Sequence, residues 1–130
     1  LARIRLAQQS DDHDEALAIC QAAHDRLPAS AGVLSFLMGM LNVLDRPEEV
    51  VSLHIAASPR LRTGVEIQLH CAAAHQNLGD LAQADQIYAD LVNKNPSDRK
   101  ALLARADFLE RTGRAEEAVD LLDKSVGGVA

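Results

Sequence analysis

The sequence predicts an all-α fold: a stack of about four helical hairpins, the first of them incomplete. Two observations carry that prediction. The first is a period of 34 residues, clearest in Gly79, Ala84, Tyr88 and Pro96. One step forward stand Gly113, Ala118, Leu122 and Ala130; one step back stand Asp45, Val50, His54 and Arg62; two steps back stand Asp11, Ala16, Cys20 and Pro28. A glycine or aspartate, a small or β-branched residue, an apolar filler and often a proline thus recur in register, as in stacked helical arrays. The second is a helical spacing of apolar residues between those punctuation points.

Taken in order, residues 1–9 read as the end of a helix with Leu1, Ile4 and Leu6 on its apolar side. Ser10 and the run from Asp11 to Glu15 interrupt it, the carboxylates serving the positive end of the helix that follows. A calcium loop is excluded there, because the glycine and distal glutamate it requires are missing. The next helix, from Asp14 to Leu27, carries Ala16, Leu17, Ile19, Cys20 and Ala23; Pro28 stops it and Ser30 caps its successor. Residues 31–44 are apolar on most sides, which implies burial between neighbours. Asp45-Arg46-Pro47 makes a turn with proline in the first turn of a helix that bears Val50, Val51, Leu53 and His54 and fades at Ala57.

Pro59 arrives ahead of Arg62, the residue in the repeating proline position. The following helix is therefore expected to start early, near Pro59, rather than at Val65, and to run to Leu78. Gly79 ends it in the left-handed conformation. Residues 81–94 form a helix closed by Asn95-Pro96. Ser97 caps a helix to Thr112, Gly113 turns the chain, and residues 114–126 form an eighth helical segment ended by Gly127-Gly128, with Val129 and Ala130 fraying. Ala72, Ala84, Ala106 and Ala118 let backbones approach, while Leu37, Tyr88, Leu109 and Leu122 fill what remains.

On these residues the chain resembles the tetratricopeptide repeat, a helix-turn-helix unit of this period. The resemblance implies a right-handed α-α superhelix over residues 1–130, with units at about 1–30, 31–64, 65–98 and 99–130. It further implies a concave face built from the first helix of each unit. That face takes Arg5, Gln8 and Gln9 from unit one, and Ser35, Phe36, Gly39 and Asn42 from unit two. Unit three adds Glu66, Leu69, His70, Ala73, Gln76 and Asn77. Unit four adds Lys100, Leu103, Ala104, Asp107, Glu110 and Arg111. Phe36 and Leu69 are its expected apolar anchors, and its ligand a peptide or helix of a partner protein. The carboxylate clamp of family members that grip chaperone tails is not matched: Leu1, Arg5 and Ala104 stand at three of its positions, and Lys100 alone agrees. Arrays without the family's tryptophan resemble bacterial ones. Similar arrays are accessory domains of bacterial sulfotransferases, hydroxylases and polysaccharide-secretion proteins.

Composition narrows the function. With 2% aromatics and a net charge of −6, the chain lacks both the base-stacking rings and the clustered cations that nucleic acid requires. No apolar run is long enough to span a bilayer, and no signal peptide is present. The chain opens partway through a helix, as an excised piece would; a cytoplasmic location is favoured over a periplasmic one. No phosphate loop, nucleophile elbow, paired-cysteine zinc spacing or two-histidine protease motif occurs, so no enzyme and no cofactor is expected. Cys71 and His75, four apart, could pair as thiolate and imidazole or as metal ligands. Their register makes them core fillers instead, as it does Cys20 and His54. Cys20 and Cys71 fall in non-adjacent units, which disfavours a disulfide. Self-association through the groove or the apolar ends of the array is the rival to partner binding, since terminal repeats need a polar cap and residues 121–126 include Leu121, Leu122 and Val126.

Overall fold

The corners of the stack are made by the backbone at three positions 34 residues apart. Asp45, Gly79 and Gly113 have φ of 59°, 82° and 81°, the left-handed conformation that ends a helix. Each corner closes with the same pair of bonds. Arg46 N donates to Leu41 O, Asp80 N to His75 O and Arg114 N to Leu109 O, while the corner residue itself donates to Asn42 O, Gln76 O or Glu110 O. These corners organise a computed structural model that describes the backbone of residues 2–127 and the side chains of residues 12–124.

Among the described residues there are eight helices and no strand. They are α1 (Ala2–Arg26), α2 (Ala31–Val43), α3 (Pro47–Ala56), α4 (Pro59–Arg62), α5 (Val65–Asn77), α6 (Leu81–Lys94), α7 (Arg99–Arg111) and α8 (Ala115–Gly127). The pairs α2/α3, α5/α6 and α7/α8 are hairpins. The second helix of the first two pairs also packs on the next unit, α3 on α5 and α6 on α7, and the first helices touch along one side, α2 on α5 and α5 on α7. That pattern is a solenoid. Side-chain caps start three of the helices: Ser30 accepts from Val33 N, Asp80 from Gln83 N and Asp98 from Ala101 N. The cap of α7 is therefore Asp98, not the expected Ser97.

Two expectations are corrected. The turn expected at residues 10–13 is absent, and α1 runs unbroken through the acidic stretch. Asp11 stands in the same register as Asp45, yet only Asp45 turns. The difference lies two residues on: Pro47 excludes helical backbone at Arg46, which sits at φ −121°, ψ 58°, because the ring collides with a preceding helical residue. Asp11 is followed by Asp12 and His13, which impose no such break. The carboxylates thus lie within a helix rather than before one. The second correction concerns Pro59. It starts α4, a single turn of its own, and Gly64 separates that turn from α5. Pro59 holds Ser58 extended (ψ 154°), Ala57 is extended as well (ψ 152°), and α3 has 10 residues against the 14 of α6. Leu61 from α4 fills the space left, 5% exposed.

The core is a succession of small clusters. Leu34, Leu37, Met38, Leu41, Val50, Leu61, Ile67, Cys71 and Ala74 form the first, with Leu17 and Cys20 of α1 against it. Ala72, Ala84, Tyr88 and Phe108 form the second, where the two rings sit 5.0 Å apart between centroids. Leu91, Val92 and Ala101 follow, then Ala106, Leu109 and Ala118. Buried residues repeat in register: Met38, Ala72 and Ala106 occupy one site, and Val50, Ala84 and Ala118 another. The expected small contacts and fillers are buried, with Leu122 half-buried at the last helix. Leu1, Gly128, Val129 and Ala130, and the side chains of Ile4, Leu6 and Val126, lie outside the described residues.

Two outcomes test this frame by urea unfolding. A Cβ at Gly79 or Gly113 would meet no atom, so Gly79→Ala and Gly113→Ala should each lose about 1–2 kcal/mol through backbone conformation alone. Gly32→Ala, equally uncrowded but in helical backbone, should instead gain about 0.5 kcal/mol; equal signs at the three sites would contradict the corners. Ala84→Phe, beside Tyr88 and Phe108, should overpack the second cluster and lose about 1–3 kcal/mol.

Candidate partner-binding groove

Helices α2 and α5 diverge enough on the side away from α3 and α6 to leave a concavity of about 750 Å³. Ser35, Phe36, Gly39 and Asn42 of α2 line it with Glu66, His70 and Ala73 of α5. Seven of the residues expected on the concave face are thus brought together. Gly32, Met40, Val43 and Leu44 line it too, as does His13 of α1, and sequence reading missed all five. Those on α2 and its C-cap Leu44 were hidden by an inference of burial from an all-apolar helix, whereas Val43 is 79% exposed. His13 was assigned to a turn that does not exist.

Beside the apolar wall runs a chain of polar contacts across three units. Ser35 Oγ lies 3.1 Å from His70 Nε2 and donates to Glu66 Oε2 at 3.3 Å. Glu66 Oε1 in turn accepts from Lys100 Nζ of α7 at 2.6 Å. Serine has one proton; given to Glu66, it leaves Oγ to accept from a His70 tautomer protonated at Nε2. Ser35 is 8% exposed, so these partners satisfy a hydroxyl that would otherwise be buried unpaired. Gly39 makes the room: a Cβ there would stand 3.1 Å from His70 Cε1. Asn42 Nδ2 donates to His70 O at 3.0 Å, and its Oδ1 is buried without a protein partner.

Electrostatics follow from these contacts. The hydrogen bond from Lys100, then its charge, holds the Glu66 carboxyl below its usual range, and Lys100 is raised in return. Both side chains are largely open to water, so the pair fixes geometry more than it stabilises. Burial lowers His70 against the opposing pull of Glu66, and burial likewise lowers His54.

The remaining expected residues are placed differently. Leu69 is half-buried and packs against the second and third clusters, a core contact rather than a groove anchor. Gln76 accepts from Tyr88 Oη at 3.4 Å, and Asn77 is exposed at the end of α5. On α7, Leu103 is 54% exposed, Ala104 packs on the second cluster, Glu110 is exposed, and Asp107 pairs with Arg111 at 2.9 Å. The side chains of Arg5, Gln8 and Gln9 lie outside the described residues.

A second hollow, about 340 Å³, opens between α3, α5 and α6 and includes His54, Cys71 and His75. Its chemistry is muted. Cys71 is 2% exposed, and burial pushes its thiol up to about 11, far from a reactive thiolate. His75 Nδ1 faces Asp80 Oδ2 at 3.6 Å. Among the described residues no cluster of three or more His, Cys, Asp or Glu could hold a metal, and both cysteines are free although both touch the first core cluster. No helix among those residues is long and apolar enough to cross a membrane.

Hairpins stacked so that their first helices line one open side define a helical-repeat interaction domain. The chain belongs to the tetratricopeptide repeat family, which it matches over residues 1–124; repeats of this family are protein-interaction modules rather than catalytic ones. It is similar in fold to MamA from MSR-1, with a TM-score of 0.64 and 18% identity over 92% of this chain and 68% of that one. MamA from AMB-1 is similar at a TM-score of 0.63 and 20% identity, over 86% and 66%. This chain thus spans about two thirds of their length. No curated protein matches the sequence.

The two lowered histidines give a pH test. Above their usual value of 6.5 folded and unfolded chains are alike neutral at these sites. As pH falls through 6.5 the unfolded chain takes up protons that the fold resists, so stability declines toward the lower folded values. The urea midpoint should therefore drop between about pH 7 and about pH 5.5, and His54→Gln with His70→Gln should flatten that slope. An unchanged slope in the double variant would remove both histidines as its cause.

Proposed function

We propose that residues 1–130 act as one array and serve as a non-enzymatic scaffold that holds a segment of a partner protein in the groove between α2 and α5, continued along α7. The observation that carries this reading is the exposure of Phe36 and Val43 on a concave wall. Large apolar side chains gathered in a hollow, unlike those scattered singly, mark a contact surface. The Lys100–Glu66–Ser35–His70 chain supports it by linking α2, α5 and α7 beside that wall. Lys100, Leu103, Asp107 and Arg111 share one stripe of α7 and would extend the surface for a longer ligand.

Self-association has one feature in its favour: Val119 is 56% exposed on α8. The readings separate in a pull-down from source lysate paired with light scattering. Phe36→Ala with Val43→Ala should keep the melting temperature, because both side chains are mostly solvent-exposed, and should lose proteins that the wild type and Val119→Ala retain. Identical captures by all three would refute the groove. A mass that rises with concentration and falls to monomer on Val119→Ala would establish self-association instead.

A further inference from the structure

We infer that residues 2–9 are a strap, which folds back at Asp11 onto the Val33–Phe36–Met40 face of α2 in equilibrium with the straight α1. The strap covers Phe36 from within the chain, whether or not a partner enters the hollow. The first ground is a face short of neighbours. Val33, Phe36 and Met40 stand at i, i+3 and i+7, on one side of α2. One period on, Ile67 and Ala74 of α5 are buried and His70 is half-buried. Two periods on, Ala101 and Phe108 of α7 are buried and Ala104 is half-buried. On α2, by contrast, Val33 and Met40 are only half-buried and Phe36 is exposed. The later helices gain their cover by packing on both helices of the unit before, α5 on α2 and α3, α7 on α5 and α6. From Ala2 to the start of α2 there is one helix, and it is straight.

The second ground is what register sets opposite that face. Helix α1 has 25 residues and α2 has 13. The two pack together across the short connection 27–30, so the last half of α1 spans α2 and residues 2–10 run on past it. In the next unit, His70 meets Ser35 and Gly39, and Asn42 donates to its carbonyl. Phe36 is one period before His70, and Arg5 and Gln8 are one period before Gly39 and Asn42. A hairpin at Asp11 therefore sets the Arg5 stem along the Phe36 ring and the Gln8 amide at the Phe36 carbonyl.

The third ground is a balance at the hinge. Asp11 stands in register with the Asp45 corner but has His13 where Asp45 has Pro47, so the chain is not forced to turn. Against that, Asp11, Asp14 and Glu15 are three and four residues apart, and a continuous helix sets these like charges side by side. In the bent form Asp14 and Glu15 instead open a helix and meet its positive end. The missing proline favours the straight form, while the carboxylates and the uncovered Phe36 favour the bent one.

The chain has no tryptophan, so Phe36→Trp in the full 130 residues places a single reporter on this face, and acrylamide quenching reads its cover. Two further substitutions bias the hinge. His13→Pro supplies the missing proline and breaks the straight helix. Arg5→Pro breaks the strap and costs the straight α1 only its first turn. Quenching should be about twofold or more weaker with His13→Pro than with Arg5→Pro, and the reporter chain without either should fall between them. Combining the two prolines should restore the quenching of Arg5→Pro alone, because His13→Pro acts through the strap. Each variant should keep a cooperative urea transition, since units two to four are unaltered. Equal quenching throughout would overturn the strap, as would protection that survives in the double variant. A reporter chain that matches either single variant would overturn the equilibrium. Protection that grows with protein concentration would assign the cover to a second copy and overturn the inference. No partner enters these measurements, so they stand or fall apart from the pull-down.

Discussion

The array depends on three backbone reversals set at equal intervals. A left-handed residue at 45, 79 and 113 ends the first helix of a unit and sends the second back along it, and the identical bond pair at each corner fixes the angle at which it returns. Because the reversals are equivalent, the contacts beyond them are equivalent too, and Met38, Ala72 and Ala106 arrive at one site in successive units. Small residues at two of those sites let the helices close in. Glycine relieves the cost of the left-handed corner at Gly79 and Gly113. At Asp45 nothing does, so the reversal needs an external constraint, and Pro47 provides it.

That dependence explains what could be read in the sequence and what could not. The period, the corners and the hairpins from Ala31 onward were legible because glycine and proline act locally: each restricts the backbone whatever surrounds it. Asp11 was misread because aspartate is only permissive of a turn, and permission without a neighbouring proline leaves the helix intact. Pro59 was ambiguous for a related reason. Its local effect, extending the residue before it, was certain, but whether the helix it starts would continue depended on Gly64 and on Leu61 packing into the first cluster. That second condition is tertiary and leaves no periodic trace.

The concave side was legible in part. Of the two expected anchors, Phe36 stands exposed on the hollow while Leu69 packs inward. The two are one residue out of register with each other: Leu69 stands where unit two has Ser35, which is buried, and Phe36 stands where unit three has His70. Apolar character alone had grouped them, and register gives them different neighbours.

The same balance ties recognition to stability. In a stacked array stability is close to a sum of unit terms and nearest-neighbour interfaces. The α2–α5 interface is bound on its core side by the first cluster and on its open side by Ser35, His70 and Asn42. A ligand lying across Phe36 and Ala73 would touch both helices and so add to that one interface term. Lys100 carries the connection further, because the carboxylate it holds is also the acceptor for Ser35. Glu66 is thus shared between the α2–α5 and α5–α7 contacts. A segment bound across both helices would therefore add to the same contacts that hold the middle of the array together.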